Sequence, residues 1–377
     1  VAALGLFCVS GMAQEAEKKE GFTFTVVKEN PITSIKNQNR AGTCWCYSSL
    51  AFIESELLRL GKGEFDLSEM FLVHNTYLDR ADKAVRTHGD VSFSQGGSFY
   101  DVLYGMETFG LVPEAEMRPG VMYGDSLSNH TELSAVSDAV VAAIAKGRLR
   151  SLQKDANNQL LWKKAIASIH DIYLGERPEK FTYNGKEYTP KSFYQSLGLK
   201  ADDYVSLTSY THHPFYEKVM VEVPDNWDYA TMYNLPLDEM MQVIDNAINE
   251  GYTVAWDGDI SEPGYVFKHH IAVNTKEDLR KQKDLKAKAK EESVTQESRQ
   301  YGFETFATVD DHLEHITGIA KDQDGVKYYK TKNSWGVDSN GTGYHYLSEE
   351  YVKAKTISIL VHKNSIPKAI RAKLGLK

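Results

Sequence analysis

Cysteine is scarce in this chain: three residues in 377, at Cys8, Cys44 and Cys46. Cys44 and Cys46 are two apart in a helical stretch, and alternate helix positions face apart, so no bridge joins them. A scaffold held by structural disulfides is therefore excluded, and Cys46 is read as a packed core residue. Excess positive charge is also missing. The 43 Lys and Arg stand against 52 Asp and Glu, a net charge of −9. A nucleic-acid surface needs concentrated positive charge, so none is expected. Beyond the first residues there is no apolar run long enough to span a membrane. Metal-ligand spacing is absent too: His212-His213 invites a metal reading, but no third ligand stands at a suitable distance in sequence. No metal and no other cofactor is expected.

What is present begins at Gln38-Asn39-Arg40-Ala41-Gly42-Thr43-Cys44-Trp45-Cys46-Tyr47-Ser48-Ser49. Gly42-Thr43 reads as a turn and Cys44 as the opening of a helix. Behind it Leu50, Ala51, Ile53, Leu57, Leu58 and Leu60 recur at helical spacing. A cysteine at a helix N-terminus sits in the positive end of the backbone dipole, which predicts a lowered thiol pKa. Gln38 is near enough in sequence to aim an amide N–H at an oxygen beside the sulfur. With the Cys44 backbone N–H it would form an oxyanion hole. Far downstream, His315 opens the apolar run Ile316-Thr317-Gly318-Ile319-Ala320. A turn at Asp322-Gln323-Asp324-Gly325 and a second strand then deliver Asn333-Ser334-Trp335-Gly336. A base and an amide on adjacent strands meet against a helix bearing the thiol. His270, before Ile271-Ala272-Val273, is a rival base, but no Asn-Ser-Trp-Gly hairpin follows it closely.

These blocks, with Leu67-Ser68-Glu69, Gly96-Gly97 and Gly343-Tyr344-His345-Tyr346-Leu347, resemble the papain-like cysteine peptidases, and within them the bleomycin hydrolase and aminopeptidase C branch. The resemblance implies an α+β, two-lobed papain-like fold: a helical lobe, an antiparallel barrel-like β lobe and a large helical insertion. It implies a Cys-His-Asn triad of Cys44, His315 and Asn333, with Gln38 at the oxyanion. Gly96 and Gly97 would form a wall for the substrate backbone, and Trp335 would shelter the His–Asn hydrogen bond. The expected activity is hydrolysis of peptide bonds through a thioester, with a peptide substrate as partner. A thiol-dependent amidase or acyl transferase, or a catalytically silent peptide-binding homologue, are the alternatives. A homo-oligomer, hexameric in the branch, is implied by the resemblance alone. So is a C-terminal tail that enters the cleft and anchors the substrate amine. Ile366 to Lys377 does not match that tail, which leaves aminopeptidase and endopeptidase action both open.

Residues 1–13 are uncharged and mostly apolar before the charged run Glu15 to Glu20. They read as the end of a secretory signal peptide and predict a secreted or periplasmic enzyme. Cys8 lies within this segment, and whether it is removed or lipidated is open. The peptidase domain is expected over 21–377. Its insertion would span about 114–225, with a continuous helical reading from Leu133 to Leu174. A solvated helix or charged excursion is expected at about 276–297. Phe22 to Lys28 and Gly251 to Asp257 read as strands, and Leu237 to Glu250 as an amphipathic helix.

Overall fold

The computed structural model describes residues 21–376 apart from 92, 148–152 and 286–287. The signal-peptide reading of 1–13 and Cys8 lies outside the described residues.

The chain opens with β1 (Thr25–Glu29), then the helices α1 (Cys44–Arg59), α2 (Glu69–Arg86) and α3 (Phe99–Thr108). The insertion carries α4 (Thr131–Lys146), α5 (Leu161–Leu174), β2 (Phe181–Tyr183), β3 (Lys186–Tyr188), α6 (Pro190–Leu197) and β4 (Tyr204–Thr208). After it come β5 (Lys218–Val219), β6 (Met232–Asn234), α7 (Leu237–Asn249), β7 (Val254–Gly258), β8 (Tyr265–Val266) and β9 (Ile271–Ala272). The chain closes with α8 (Gln296–Glu304), β10 (His312–Lys321), β11 (Lys327–Lys332), β12 (Tyr344–Ser348), α9 (Glu349–Lys355), β13 (Thr356–His362) and α10 (Lys368–Lys373).

Two cores define two lobes. One is helical, built from α1, α2, α3 and α6 around Leu50, Phe52, Leu72, Phe99 and Phe193. The other packs α7 onto the sheet around Val243, Ile244, Trp256, Ile316 and Ile359. The sheet runs β5-β6-β4-β13-β7-β10-β11-β12-β9-β8, with β1 added to β10. Strand β10 is central: it pairs antiparallel with β1, β7 and β11. Helix α1 is the element both lobes share. It is buried from Cys44 through Leu57, and its core includes Ala255, Leu313 and Leu360 of the sheet. A helix buried on all sides must satisfy its polar groups internally. Glu54 does so by accepting from Thr33 Oγ1 (2.6 Å) and the Leu67 N–H (2.9 Å), and Ser48 Oγ donates to the Glu314 carbonyl on β10 at 2.6 Å.

Two expectations change in detail. The helical reading of 133–174 resolves into two helices, α4 and α5, that pack against each other and against α2. The stretch between them holds an Asx turn at Asp155, whose carboxylate accepts from the Asn157 and Gln159 N–H groups and so competes with helix. The charged stretch 276–297 forms no long helix among the described residues; it is tied down by Lys288 on Asp322 and Asp324 and by Glu291 on the Asn274 N–H and Ser348. Ser68 caps α2 as expected, accepting from the Phe71 N–H at 3.2 Å.

Candidate active site

The site is assembled where the start of α1 meets β10 and the end of β11. Strand β10 begins at His312, three residues earlier than the apolar run suggests, and its pleat sets the outcome. Side chains alternate across a strand, so His312 and Glu314 share one face while Leu313 and His315 share the other. On the first face, His312 Nε2 lies 3.0 Å from Asn333 Oδ1. Asn333 is held from behind: its Nδ2 donates to Glu314 Oε1 (2.8 Å) and to the Tyr265 hydroxyl (3.1 Å). Trp335 packs on the His312 ring, centroids 4.9 Å apart at 33°, and Phe267 closes the other side of the indole at 5.0 Å.

This corrects the sequence expectation for His315. Its strand partners are Lys332 and Ala255, and its ring points to the opposite face, edge-on to Phe52 at 6.3 Å. Both ring nitrogens are buried without a hydrogen-bond partner. Burial, and the neighbouring Lys332 ammonium, push its pKa well below the ordinary histidine value. The structure brings Asn333 to His312, and three residues of β-strand, an odd number, separate that imidazole from His315. The misreading came from the strand boundary: Asp310-Asp311 and Glu314 look like loop residues, and the apolar run starts only at Ile316. His270 is engaged elsewhere; it sits at a positive φ of 58° with Nδ1 on the Tyr344 carbonyl at 3.0 Å.

Cys44 opens α1 as expected, 9% exposed, with Cys46 buried behind it and both thiols free. Its sulfur is next to the Leu313 backbone, one residue from His312. The expected lowering of the thiol pKa is not found. Burial pushes it up to about 12, and the carboxyls of Asp310, Asp225 and Asp257 add to the rise; only the Leu313 backbone hydrogen bond opposes them. A helix N-terminus offers only ~0.3–1 kcal/mol to a nearby anion, too little to offset the loss of water around a buried sulfur. His312 is likewise held below its ordinary value by burial, against the pull of Glu314 and Asn333. Burial thus disfavours the charged form of each group, the thiolate of Cys44 and the imidazolium of His312.

Gln38 is held from both ends of its side chain. A left-handed turn at Asn39 (φ 48°) carries the chain past it. The Gln38 backbone N–H donates to the Ser334 carbonyl (2.8 Å), and Oε1 accepts from Ser334 Oγ (2.6 Å). With Oε1 so occupied, Nε2 is fixed in orientation; one of its protons goes to the Ala41 carbonyl at 2.7 Å and the second is left for a ligand. Gln95 braces the turn before Cys44, its carbonyl accepting from Trp45 Nε1 (2.9 Å) and its side chain from the Gly42 N–H (2.8 Å).

Gly96 and Gly97 lie next to this turn, and packing explains both. A Cβ on Gly96 would fall 2.0 Å from Asp225 Oδ2; one on Gly97 would fall 2.7 Å from Asp101 Oδ2 and 3.1 Å from the Trp45 ring. The carboxylate of Asp225, delivered between β5 and β6, thus rests on the glycine wall, paired with Arg80 at 3.5 Å. Across the cleft Asp257, at the end of β7, accepts from Ser358 Oγ at 2.8 Å, and its carboxyl is hydrogen-bonded to that of Asp310. Burial raises both carboxyls, Asp257 to about 7; the Asp257 charge raises Asp310 further, while the hydrogen bond from Asp310 lowers Asp257, so the shared proton rests on Asp310. His312, Glu314 and these acids are the functional candidates the sequence reading missed. The alternation Asp-His-Leu-Glu-His was the available signal for the first two.

The sequence offered no third ligand for His212-His213, but the fold supplies Glu222, whose two oxygens lie 3.1 and 2.9 Å from their Nε2 atoms. Gln300 Nε2 donates to His212 Nδ1 at 2.8 Å, so His212 keeps its proton on Nε2 and donates it to Glu222. That tautomer ties His212 to both Gln300 and Glu222 through hydrogen bonds. Among the described residues no helix is long and apolar enough to cross a membrane.

A helix-borne thiol wedged against a sheet that presents an imidazole and an amide is the architecture of the papain-like cysteine peptidases. The model of the Peptidase C1-like family matches residues 5–376, and the chain belongs to that family. It is similar to Aminopeptidase G of Lactobacillus delbrueckii subsp. lactis, at 23% identity over 90% of this chain and 83% of that relative. It is also similar to Aminopeptidase C of Streptococcus thermophilus, at 23% identity over 93% and 84%. Among solved structures, PepW of Lactobacillus rhamnosis superposes with a TM-score of 0.68 at 19% identity, covering 93% of this chain and 84% of that one. The protein is a cysteine-type peptidase of papain-like fold.

Proposed function

We propose that Cys44, His312 and Asn333 form the catalytic triad of an aminopeptidase C-like enzyme, with Gln38 at the oxyanion. The observation that carries this reading is the His312 Nε2 to Asn333 Oδ1 hydrogen bond, on the strand whose next residue, Leu313, backs the Cys44 sulfur. Asn333 occupies Nε2, which leaves His312 Nδ1 to serve the thiol. As sulfur attacks the amide carbonyl, the S–H proton passes to Nδ1. The oxyanion takes hydrogen bonds from the Cys44 N–H and the free Nε2 proton of Gln38. The imidazolium then protonates the leaving amine as the C–N bond breaks. Water next attacks the thioester, giving its proton to His312, and the C–S bond breaks to return the thiol and release the acid. Trp335 keeps water off the His312–Asn333 bond. Gly96 and Gly97 receive the substrate backbone beside Asp225.

Preference for a free α-amine is supported by the carboxyls of Asp225, Asp257 and Asp310, which stand near enough to Cys44 to act on its charge. A cation on the acyl side of the scissile bond would find its counter-charge at Asp225 and at the one proton-sharing pair of Asp257 and Asp310. The two similar aminopeptidases point the same way. The apolar run 1–13 supports export of the enzyme.

The test uses paired fluorogenic substrates with free and blocked N-termini, on wild type and Cys44→Ala. Cleavage confined to free-amine substrates and lost in Cys44→Ala is the expected result. Equal cleavage of blocked substrates would overturn the aminopeptidase reading, and activity surviving in Cys44→Ala would overturn the triad.

A further inference from the structure

Glu314 is a carboxylate sealed from water, its side chain 0% exposed. Its side-chain partners gather on the face of β10 that carries His312. Oε1 accepts from the Tyr265 hydroxyl (2.6 Å) and from Asn333 Nδ2 (2.8 Å), and lies 3.7 Å from His312 Nε2. Oε2 accepts from His345 Nε2 at 2.7 Å, and His345 is itself fully buried with Nδ1 unpartnered. A buried acid and base are poor packing material, because desolvation offsets their attraction and an apolar pair of the same volume is commonly as stable. Their placement therefore asks for a reason at the site.

We propose that Glu314 is a positioning residue of the peptidase reaction: it fixes the Asn333 amide so that Oδ1 faces His312, and its negative charge stabilises the imidazolium formed when His312 takes the Cys44 proton. This rests on His312 being the base. Asn333 cannot rotate its amide without aiming Nδ2 at His312 and Oδ1 at an anion, so Glu314 also sets the ring orientation of His312. The other groups facing this pair are His345 on β12, Tyr265 on β8 and Tyr351 on α9; Asp311, beside His312, is turned to the Ile260 and Ser261 N–H groups. Burial raises the Glu314 carboxyl, but His345, His312 and Tyr265 more than offset it and hold it below the ordinary value, so the charge is present while the enzyme works.

The test is the pH profile of kcat/KM for Glu314→Gln, an isostere that still accepts from Asn333 and Tyr265. Loss of the charge makes His312 a weaker base. The acid limb should move to lower pH by about half a unit or more, and kcat should fall about tenfold with KM within about twofold. Tyr265→Phe removes one donor from the same oxygen, strengthens its field at His312 and should move the acid limb upward. Thermal melts accompany both, and if Glu314→Gln does not fold, Tyr265→Phe decides. An acid limb unmoved in the folded variants overturns the inference. His312→Ala, measured in parallel, separates the two readings: if it retains activity the base assignment fails, and if it is inactive while the limb stays fixed, only the role of Glu314 fails.

Discussion

His312 and Asn333 face each other across the β10–β11 hairpin, Nε2 to Oδ1 at 3.0 Å, while His315, three residues along the same strand, has no partner for either nitrogen. The two histidines are thus a matched pair for substitution. Replacing His312 with Ala should lower kcat/KM by about 10³-fold or more, the scale expected when a general base is lost. Replacing His315 with Leu removes a ring that no hydrogen bond holds and should leave kcat/KM within a few-fold. Steady-state kinetics on one peptide substrate checks both, and the reverse order would restore His315 as the base.

The thiol titration gives a second expectation. With Cys44 raised to about 12 by burial, its folded pKa lies above the ordinary thiol value, so the neutral thiol is favoured through the neutral range. Alkylation of Cys44 by iodoacetamide in the substrate-free enzyme should keep rising with pH beyond 9. A rate that levels off below pH 7 would instead indicate a thiolate at rest.

Asp225 should govern the charge preference of the cleft. Its carboxylate rests on Gly96 and is paired with Arg80. Asp225→Asn keeps the shape and removes the charge. The ratio of kcat/KM for free-amine over blocked substrates should fall about three- to fivefold, the scale of one partly exposed ion pair. An unchanged ratio would free Asp225 from that role.

Gly97→Ala tests the packing account of the glycine wall. The new Cβ would press on Asp101 Oδ2, which accepts from the Ser98 N–H at 2.8 Å at the start of α3, and on the Trp45 ring. Overpacking of this kind costs about 1–3 kcal/mol. Chemical denaturation should show that loss, and a variant as stable as wild type would mean the wall yields freely.

Much of the site is local in sequence and was legible there. Gly42-Thr43 followed by a helical apolar pattern places Cys44 at a helix start, and α1 begins at that residue. Gln38 is near it because six residues of turn cannot carry it far. The hairpin that ends in Asn333 is written in its turn residues, and Leu237 to Glu250 carries a helical pattern that α7 follows.

Other features depended on registers and distances that no local pattern encodes. A strand's alternation shows which residues share a face, but not which face meets the Asn333 amide; the pairing of β10 with β7 and β11 decided that for His312 over His315. Burial of Cys44 between two lobes set its pKa against the helix dipole, because desolvation depends on everything packed around the sulfur. The carboxyls of Asp225, Asp257 and Asp310 and the pairing of Glu314 with His345 join residues from distant segments. The sequence by itself determined a papain-like fold, with a thiol at a helix start and an amide at the end of a hairpin. Only the tertiary structure decided which histidine pairs with that amide, and in what field of charge, since side-chain direction and desolvation are properties of the packed chain.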